Sequence, residues 1–124
     1  MGSLDGTLKE FFKALDRKDF ATLLKMVDKS AEGIDEITKG WIRGKAAFEG
    51  YVKRVEPELR NVKSHLEDVH TRRVGGVGIA TFILRQSYTL SGQRHDLKLA
   101  SSMAFAKRGD NWKATLVHMT PLGD

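Results

Sequence analysis

The sequence contains no cysteine, only two prolines and no long apolar run. The lack of cysteine excludes disulfide bonds, thiolate metal sites and cysteine nucleophiles. A membrane-spanning helix requires about 20 consecutive apolar residues, and no segment approaches that length. The first residues also lack the basic and apolar regions of a signal peptide, so we expect a cytoplasmic protein with no membrane partner.

Charge is not concentrated in any one segment either. The net charge is +5, but basic residues never occur more than two in succession, and acidic residues are interspersed among them. A nucleic-acid-binding domain usually clusters its lysines and arginines on one face or along one helix. We therefore do not expect nucleic acid to be a partner of this chain.

The length of 124 residues and the 40% share of hydrophobic residues predict one domain, residues 1–124, with a single core. The first part of the chain has a helical pattern, with Thr7 and Glu10 spaced as a capping box and Asp19 placed to cap a second helix. The apolar stripe of the first helix consists of Leu8, Phe11, Phe12 and Leu15.

The rest of the chain predicts a sheet. Residues 31–44 indicate a short strand pair, and residues 45–55 indicate a third helix. The period then changes from 3.6 to 2, and four long antiparallel strands are predicted at residues 61–74, 77–90, 95–108 and 112–120. This order predicts an α+β fold with the helices on one face of a curved antiparallel sheet.

Three passages resemble a known superfamily. They are "FFKALDRKDFATLLKMV" at 11–27, "WIRGKAAFEGYV" at 41–52 and "RGDNWKATLVHMTPL" at 108–122. In order and spacing they are similar to the opening helix pair, third helix and last hairpin of the nuclear transport factor 2-like superfamily, in its SnoaL-like and ketosteroid-isomerase-like branch. The resemblance implies a cone-shaped sheet wrapped around helices, with an apolar pocket between them.

The steroid-isomerase branch implies a carboxylate base with a tyrosine and a protonated acid as its oxyanion hole. Carrying these positions over places the base at Asp35, the tyrosine at Phe11 and the second acid near Ser102. Phe11 cannot donate a hydrogen bond, and a serine is a weaker donor than a carboxylic acid. The complete steroid-isomerase machinery is therefore absent, and Ser102 stays a candidate ligand-binding residue.

Asp35 is the first catalytic candidate. It lies near Ile34 and Ile37, and a dry apolar wall would raise the pKa of its carboxyl and make it a usable base. The alternative is an ordinary acid that faces solvent.

His118 is the second catalytic candidate, because an imidazole titrates near neutral pH. Strict alternation places it on one face with Trp112 and Ala114, just before the strand ends at Pro121. That face is predicted to meet the core, which would put His118 at the rim of the pocket. The alternative is a neutral imidazole that hydrogen-bonds to a neighbouring strand.

Four further residues are candidates for ligand binding. Phe12, Trp41 and Tyr51 each place one aromatic ring where the helices and strands are expected to meet, which suits a mostly apolar pocket. Arg85 shares a face with Ile79 and Ile83 on strict alternation, so its guanidinium would need a carboxylate from the protein or from a ligand. The alternative for Arg85 is a side chain whose head reaches water.

No cofactor or metal is predicted. None of the four histidines forms a pair with a recognised metal-ligand spacing. The glycines at 75–78 join two predicted strands and do not open a helix, so they do not match a phosphate-binding loop.

Residues 77–84 contain a single polar residue, Thr81, and therefore indicate a strand buried on both faces. The helices can cover only one face, so we expect a second copy of the chain to cover the other. The sequence thus predicts a homodimeric pocket protein that binds a small apolar or aromatic molecule. If it is an enzyme, proton transfer of an isomerase or lyase type, with Asp35 or His118, is the expected reaction. The alternative is a non-catalytic dimerisation or ligand-sensing module. The sequence does not decide whether a reaction is catalysed or which molecule is bound.

Overall fold

Three α-helices and a six-stranded sheet make up the computed structural model, which describes residues 3–34 and 40–122. The helices are α1 (Leu4–Asp16), α2 (Phe20–Lys25) and α3 (Lys45–Val55), and a 3-10 turn (Glu56–Glu58) follows α3. The strands are β1 (Val27–Ile34), β2 (Ile42–Arg43), β3 (Leu59–Val74), β4 (Val77–Leu90), β5 (Gln93–Arg108) and β6 (Asn111–Pro121). Within these described residues, none of the helices has the length and apolar character that crossing a bilayer requires.

The first two helices begin at polar caps. The Oγ atom of Ser3 accepts a hydrogen bond from the Gly6 N–H at 3.0 Å, so α1 starts before the predicted Thr7. The carboxylate of Asp19 caps α2, as the sequence predicts, and accepts hydrogen bonds from the hydroxyl and the backbone N–H of Thr22. These two bonds lower the pKa of Asp19.

The strand order across the sheet is β2-β1-β6-β5-β4-β3. The four long strands β3 to β6 form consecutive antiparallel hairpins, whereas β1 lies parallel to β6. The α+β fold with a curved, unclosed sheet is therefore confirmed, with one parallel pair in an otherwise antiparallel sheet. In the β4–β5 turn, Ser91 and Gly92 both have positive φ, the geometry of a type I′ turn.

The inner face of the sheet is the face that meets the helices, and the outer face is the opposite one. Along β4, the even-numbered residues Ala80, Phe82 and Leu84 are buried in the inner core, while Thr81 and Arg85 are exposed on the outer face. The fully buried centre of the core includes Phe12 of α1 and Phe105 of β5. The helices thus cover one face of this strand and leave the other without a helical layer in the described chain.

A bulge in β6 decides which of its side chains face the core. Ala114 pairs with Phe105 and Leu116 pairs with Ala104, so Thr115 is an extra residue without a partner on β5. One extra residue exchanges the two faces for every later position. Trp112 and Ala114 face inward as predicted, but beyond the bulge Val117 faces inward and His118 faces outward.

Candidate functional site: an apolar cavity between the helices and the sheet

An apolar cavity of about 130 Å³ lies between the three helices and the inner face of the sheet. All three helices contribute, because each turns its apolar stripe toward the concave side of the curved sheet. The lining side chains are Phe11, Phe12, Leu15, Phe20, Leu23, Leu24, Val27, Ala31, Phe48, Tyr51, Val52, Val55, Leu59, Val62, Gln86, Tyr88, Ala114, Val117 and Met119. A cavity with this lining favours an apolar occupant.

Polar atoms enter the lining at three residues, Tyr51 of α3 and Gln86 and Tyr88 of β4. Tyr88 is buried, and its ring stacks on that of His95 with 5.0 Å between ring centroids. Gln86 donates a hydrogen bond from Nε2 to the Oγ atom of Ser64 at 3.1 Å. A few polar groups in an apolar cavity are the usual means by which a pocket orients its ligand.

Two of the candidate ligand-binding residues line this cavity. Phe12 is buried in α1 and makes edge-to-face contacts with Phe11 and Phe82 at centroid distances of 5.3 and 5.6 Å. Tyr51 lies on the face of α3 that meets the sheet. Both side chains are placed where a molecule in the cavity would touch them.

Three other candidates come together on the outer face instead. Trp41 is 48% exposed, and its ring stacks on that of His118 with 6.2 Å between centroids and 25° between planes. His118 pairs across the sheet with Ser102, which lies on the same outer face. The predicted placement of Trp41 and His118 at the cavity is therefore wrong, for His118 because of the bulge at Thr115.

Arg85 also lies outside the cavity. Its Nε atom donates to the Oε2 atom of Glu67 at 3.0 Å, and 53% of its side chain is exposed. His65 lies 3.6 Å from the same carboxylate oxygen, so the three side chains form a surface group on the outer face. The alternative in which the Arg85 head reaches water is the one that the structure supports.

Asp35, the predicted base, lies outside the described residues. Among residues 3–34 and 40–122, no cluster of three or more histidine, aspartate or glutamate side chains is arranged to hold a metal ion.

A family model for the SnoaL-like domain matches residues 5–121. The chain belongs to the SnoaL-like family. Among curated proteins, no sequence match to this SnoaL-like protein was found.

Solved structures with the same fold cover nearly the whole SnoaL-like chain. A proposed dehydratase of the NTF2-like family from Streptomyces avermitilis has a TM-score of 0.86 at 16% identity, over 98% of this chain and 95% of that one. A proposed scytalone dehydratase from Novosphingobium aromaticivorans has a TM-score of 0.81 at 12% identity, over 97% and 82%. The CaMKII hub homology domain of Chlamydomonas reinhardtii has a TM-score of 0.76 at 15% identity, over 95% of both chains. At these identities the likeness establishes the fold alone.

The sequence analysis did not single out Gln86, although it lies on the wall of the SnoaL-like cavity. Its side chain follows Phe82 and Leu84 on the inner face of β4, so period-two alternation alone could have placed it there. Gln86 is held by a hydrogen bond to Ser64, which is itself held by Asp16, and no local pattern in the sequence indicates either contact.

Proposed function

We propose that this SnoaL-like protein binds a small apolar or aromatic molecule in the cavity between its helices and its sheet. The observation that carries the proposal is the combination of a volume of about 130 Å³ with an almost wholly apolar lining. An apolar cavity of about 150 Å³ in another protein stays dry and binds benzene. A single aromatic ring is therefore a suitable occupant here.

Filling the cavity should abolish binding. Ala31 of β1 is buried and lines the cavity, so Ala31→Leu adds three carbon atoms to its wall. We expect toluene to shift backbone amide signals of the wild-type protein in NMR titrations. Its affinity should fall at least ten-fold in the Ala31→Leu variant, because ligand and side chain compete for the same space.

Ala47→Leu is the matched control, since Ala47 is exposed on α3 and does not line the cavity. This variant should bind toluene as the wild type does. A wild-type protein whose spectrum does not change with toluene, or two variants that bind it equally well, would contradict the proposed binding site.

A second candidate function is proton transfer on the bound molecule, with Asp35 as the base. Asp35 follows β1 directly in the sequence, and Ala31 of that strand lines the cavity. We expect the wild type to speed exchange of the α-hydrogens of cyclopentanone with D2O, as followed by NMR. The Asp35→Asn variant should lose about a hundred-fold of that rate, the usual contribution of a general base.

Asp110→Asn, in the exposed β5–β6 turn, serves as the control and should leave the exchange rate unchanged. If the wild type exchanges no faster than buffer, or if Asp35→Asn keeps the wild-type rate, the base role of Asp35 is wrong. Neither result bears on toluene binding, which the Ala31→Leu experiment tests separately.

Self-association through the outer face is proposed as well. Ile79, Ile83 and Leu116 lie on this face and are half-buried, and Val77 beside them is 43% exposed. Ala100 and Ala104 pair with Ile83 and Ile79 across β4 and β5 and keep the face low beside them, and the polar pair Thr81 and Ser102 lies between the two. A second copy of the chain would cover these side chains, and the likeness in fold to a hub homology domain supports this proposal.

A further inference from the structure

Gln86 is the least apolar side chain on the cavity wall. It lies on the inner face of β4 between Leu84 and Tyr88, and it is half-buried. A primary amide offers two N–H donors and one carbonyl acceptor. The hydrogen bond to Ser64 uses one of the donors.

Ser64 is in turn held by the last residue of α1. Its Oγ atom donates to the Oδ1 atom of Asp16 at 2.6 Å, and its backbone N–H donates to Oδ2 at 2.9 Å. Ser64 and Gln86 are direct partners across β3 and β4. A chain of hydrogen bonds therefore runs from the end of α1 through β3 to the cavity wall on β4.

The carboxylate fixes the direction of this chain. A carboxylate only accepts hydrogen bonds, so the single hydroxyl proton of Ser64 is committed to Asp16. The Ser64 oxygen can then only accept from Gln86, which forces the NH₂ side of the amide toward Ser64. The oxygen of the Gln86 amide is therefore directed away from Ser64.

From this geometry we infer that the Gln86 oxygen is the polar anchor of the cavity and selects ligands that donate a hydrogen bond. The inference rests on the proposed binding function and specifies the class of ligand: a single aromatic ring that carries a hydroxyl or N–H group. A phenol or aniline type of molecule meets this description. An ether or a halide of the same size would leave the oxygen unpaired.

The size of the effect follows from the cost of leaving the Gln86 oxygen unpaired when a bound ligand covers it. Removing the partner of a buried polar group costs more than the net gain of a hydrogen bond in water, because the group cannot return to solvent. The Gln86 oxygen is on a half-buried side chain, so the penalty is reduced but not lost. We expect a discrimination of about ten-fold between matched ligands with and without a donor.

The test uses two isomers, p-cresol and anisole, which have the same atoms but differ in that only the cresol can donate. Dissociation constants are measured by NMR titration for the wild type and for Gln86→Met, which keeps the length of the side chain and removes the amide. The ratio of the anisole constant to the cresol constant should fall about ten-fold in Gln86→Met. Gln93→Met, on an exposed side chain of the β4–β5 hairpin, should keep the wild-type ratio.

Ser64→Ala is the second variant. It retains the Gln86 side chain and removes the hydroxyl that orients its amide. Without the Ser64 oxygen the amide is free to turn, so its NH₂ group can meet the anisole oxygen and the ratio should again fall. This variant decides the question if Gln86→Met does not fold.

The outcomes separate this inference from the proposed function. Equal ratios in the wild type and both variants, together with toluene binding, would overturn the role of Gln86 and leave the binding site intact. If the ratio of the anisole constant to the cresol constant is lower in the wild type than in Gln86→Met, Gln86 favours the ligand that cannot donate. That result would overturn the predicted direction of the amide. A wild type that binds neither isomer nor toluene would overturn the binding site and the inference together.

Discussion

Ile83→Glu is expected to convert a dimer of this SnoaL-like protein into a monomer. Ile83 lies on the outer face of β4, paired with Ala100 on β5 and Glu67 on β3. In a symmetric dimer the same patch is used by both copies, so one substitution places two carboxylates in the interface. Burying an unpaired charge costs several kcal/mol, which corresponds to about a thousand-fold weaker association.

Sedimentation equilibrium at micromolar concentration measures this change. The wild type should sediment at twice the mass of one chain and Ile83→Glu at the mass of one chain. Ala47→Glu adds the same charge on the exposed side of α3 and should remain dimeric. A wild type that is monomeric throughout this range would refute the proposed interface, as would an Ile83→Glu variant that stays dimeric.

The same variant also separates self-association from ligand binding in the cavity. Ile83 and its neighbour Leu84 point to opposite faces of β4, and only the inner face reaches the cavity. Toluene should therefore bind to monomeric Ile83→Glu with the wild-type affinity. Loss of binding together with loss of the dimer would mean that the second copy is needed to form the cavity.

The elements of the fold could be predicted because their signals are local. The apolar stripe around Phe11 and Phe12 recurs at helical spacing, and the turns at Gly75, Gly92 and Gly109 punctuate runs with a period of 2. Each of these features depends on residues close together in the sequence, so the order of helices and strands follows from pattern alone. The family resemblance then added the cone shape of the sheet and the pocket between sheet and helices, which no local pattern specifies.

The facing of β6 could not be predicted in the same way. Thr115 is one unpaired residue in a strand whose composition resembles a regular one, and it exchanges the faces of His118 and Val117. A bulge forms where the partner strands require it, and the requirement comes from β5 and the curved sheet as a whole. The strict alternation that holds along β4 therefore failed on β6.

Contacts between residues that are distant in the sequence could not be predicted either. The Asp16–Ser64–Gln86 chain joins three elements, and the pair formed by Asp28 and Arg108 joins residues 80 positions apart. A lone aspartate in a strand is typical of an exposed polar position. In the folded sheet, however, only 7% of the Asp28 side chain is exposed, and Arg108 forms an ion pair with it.

Removing Arg108 should destabilise the protein more than removing Asp28. Arg108 donates two hydrogen bonds to the Asp28 carboxylate, from Nε at 2.8 Å and from Nη2 at 3.1 Å. Arg108→Met leaves a buried carboxylate with Ser30 as its remaining partner, whereas Asp28→Asn leaves an arginine whose side chain is 55% exposed and can turn to water. Breaking a fully buried pair costs about 3–5 kcal/mol, and solvent near Arg108 reduces the penalty on the Asp28 carboxylate to about 2 kcal/mol.

Urea unfolding at neutral pH compares the two variants with the wild type. Arg94→Met is the matched control, since Arg94 pairs with Asp96 at 3.1 Å and both side chains are more than half exposed. An exposed pair of this kind contributes little, so the control should unfold close to the wild type. If Asp28→Asn is the less stable of the two Asp28–Arg108 variants, the argument from unequal burial is wrong.

The pair should also make stability depend on pH in the acid range. The hydrogen bonds from Arg108, and then those from Ser30, hold the pKa of Asp28 far below its ordinary value of about 3.9, although burial opposes them. A carboxyl whose pKa is lower in the folded state stabilises the fold above the unfolded-state pKa, and this contribution is lost as the pH falls toward the folded-state pKa. The difference in unfolding free energy between wild type and Asp28→Asn should therefore be constant above about pH 5 and shrink steadily below about pH 4. Carboxylates common to both proteins, Asp19 included, cancel in this difference, so a gap that stays constant down to pH 2 would show that Arg108 does not stabilise the Asp28 carboxylate.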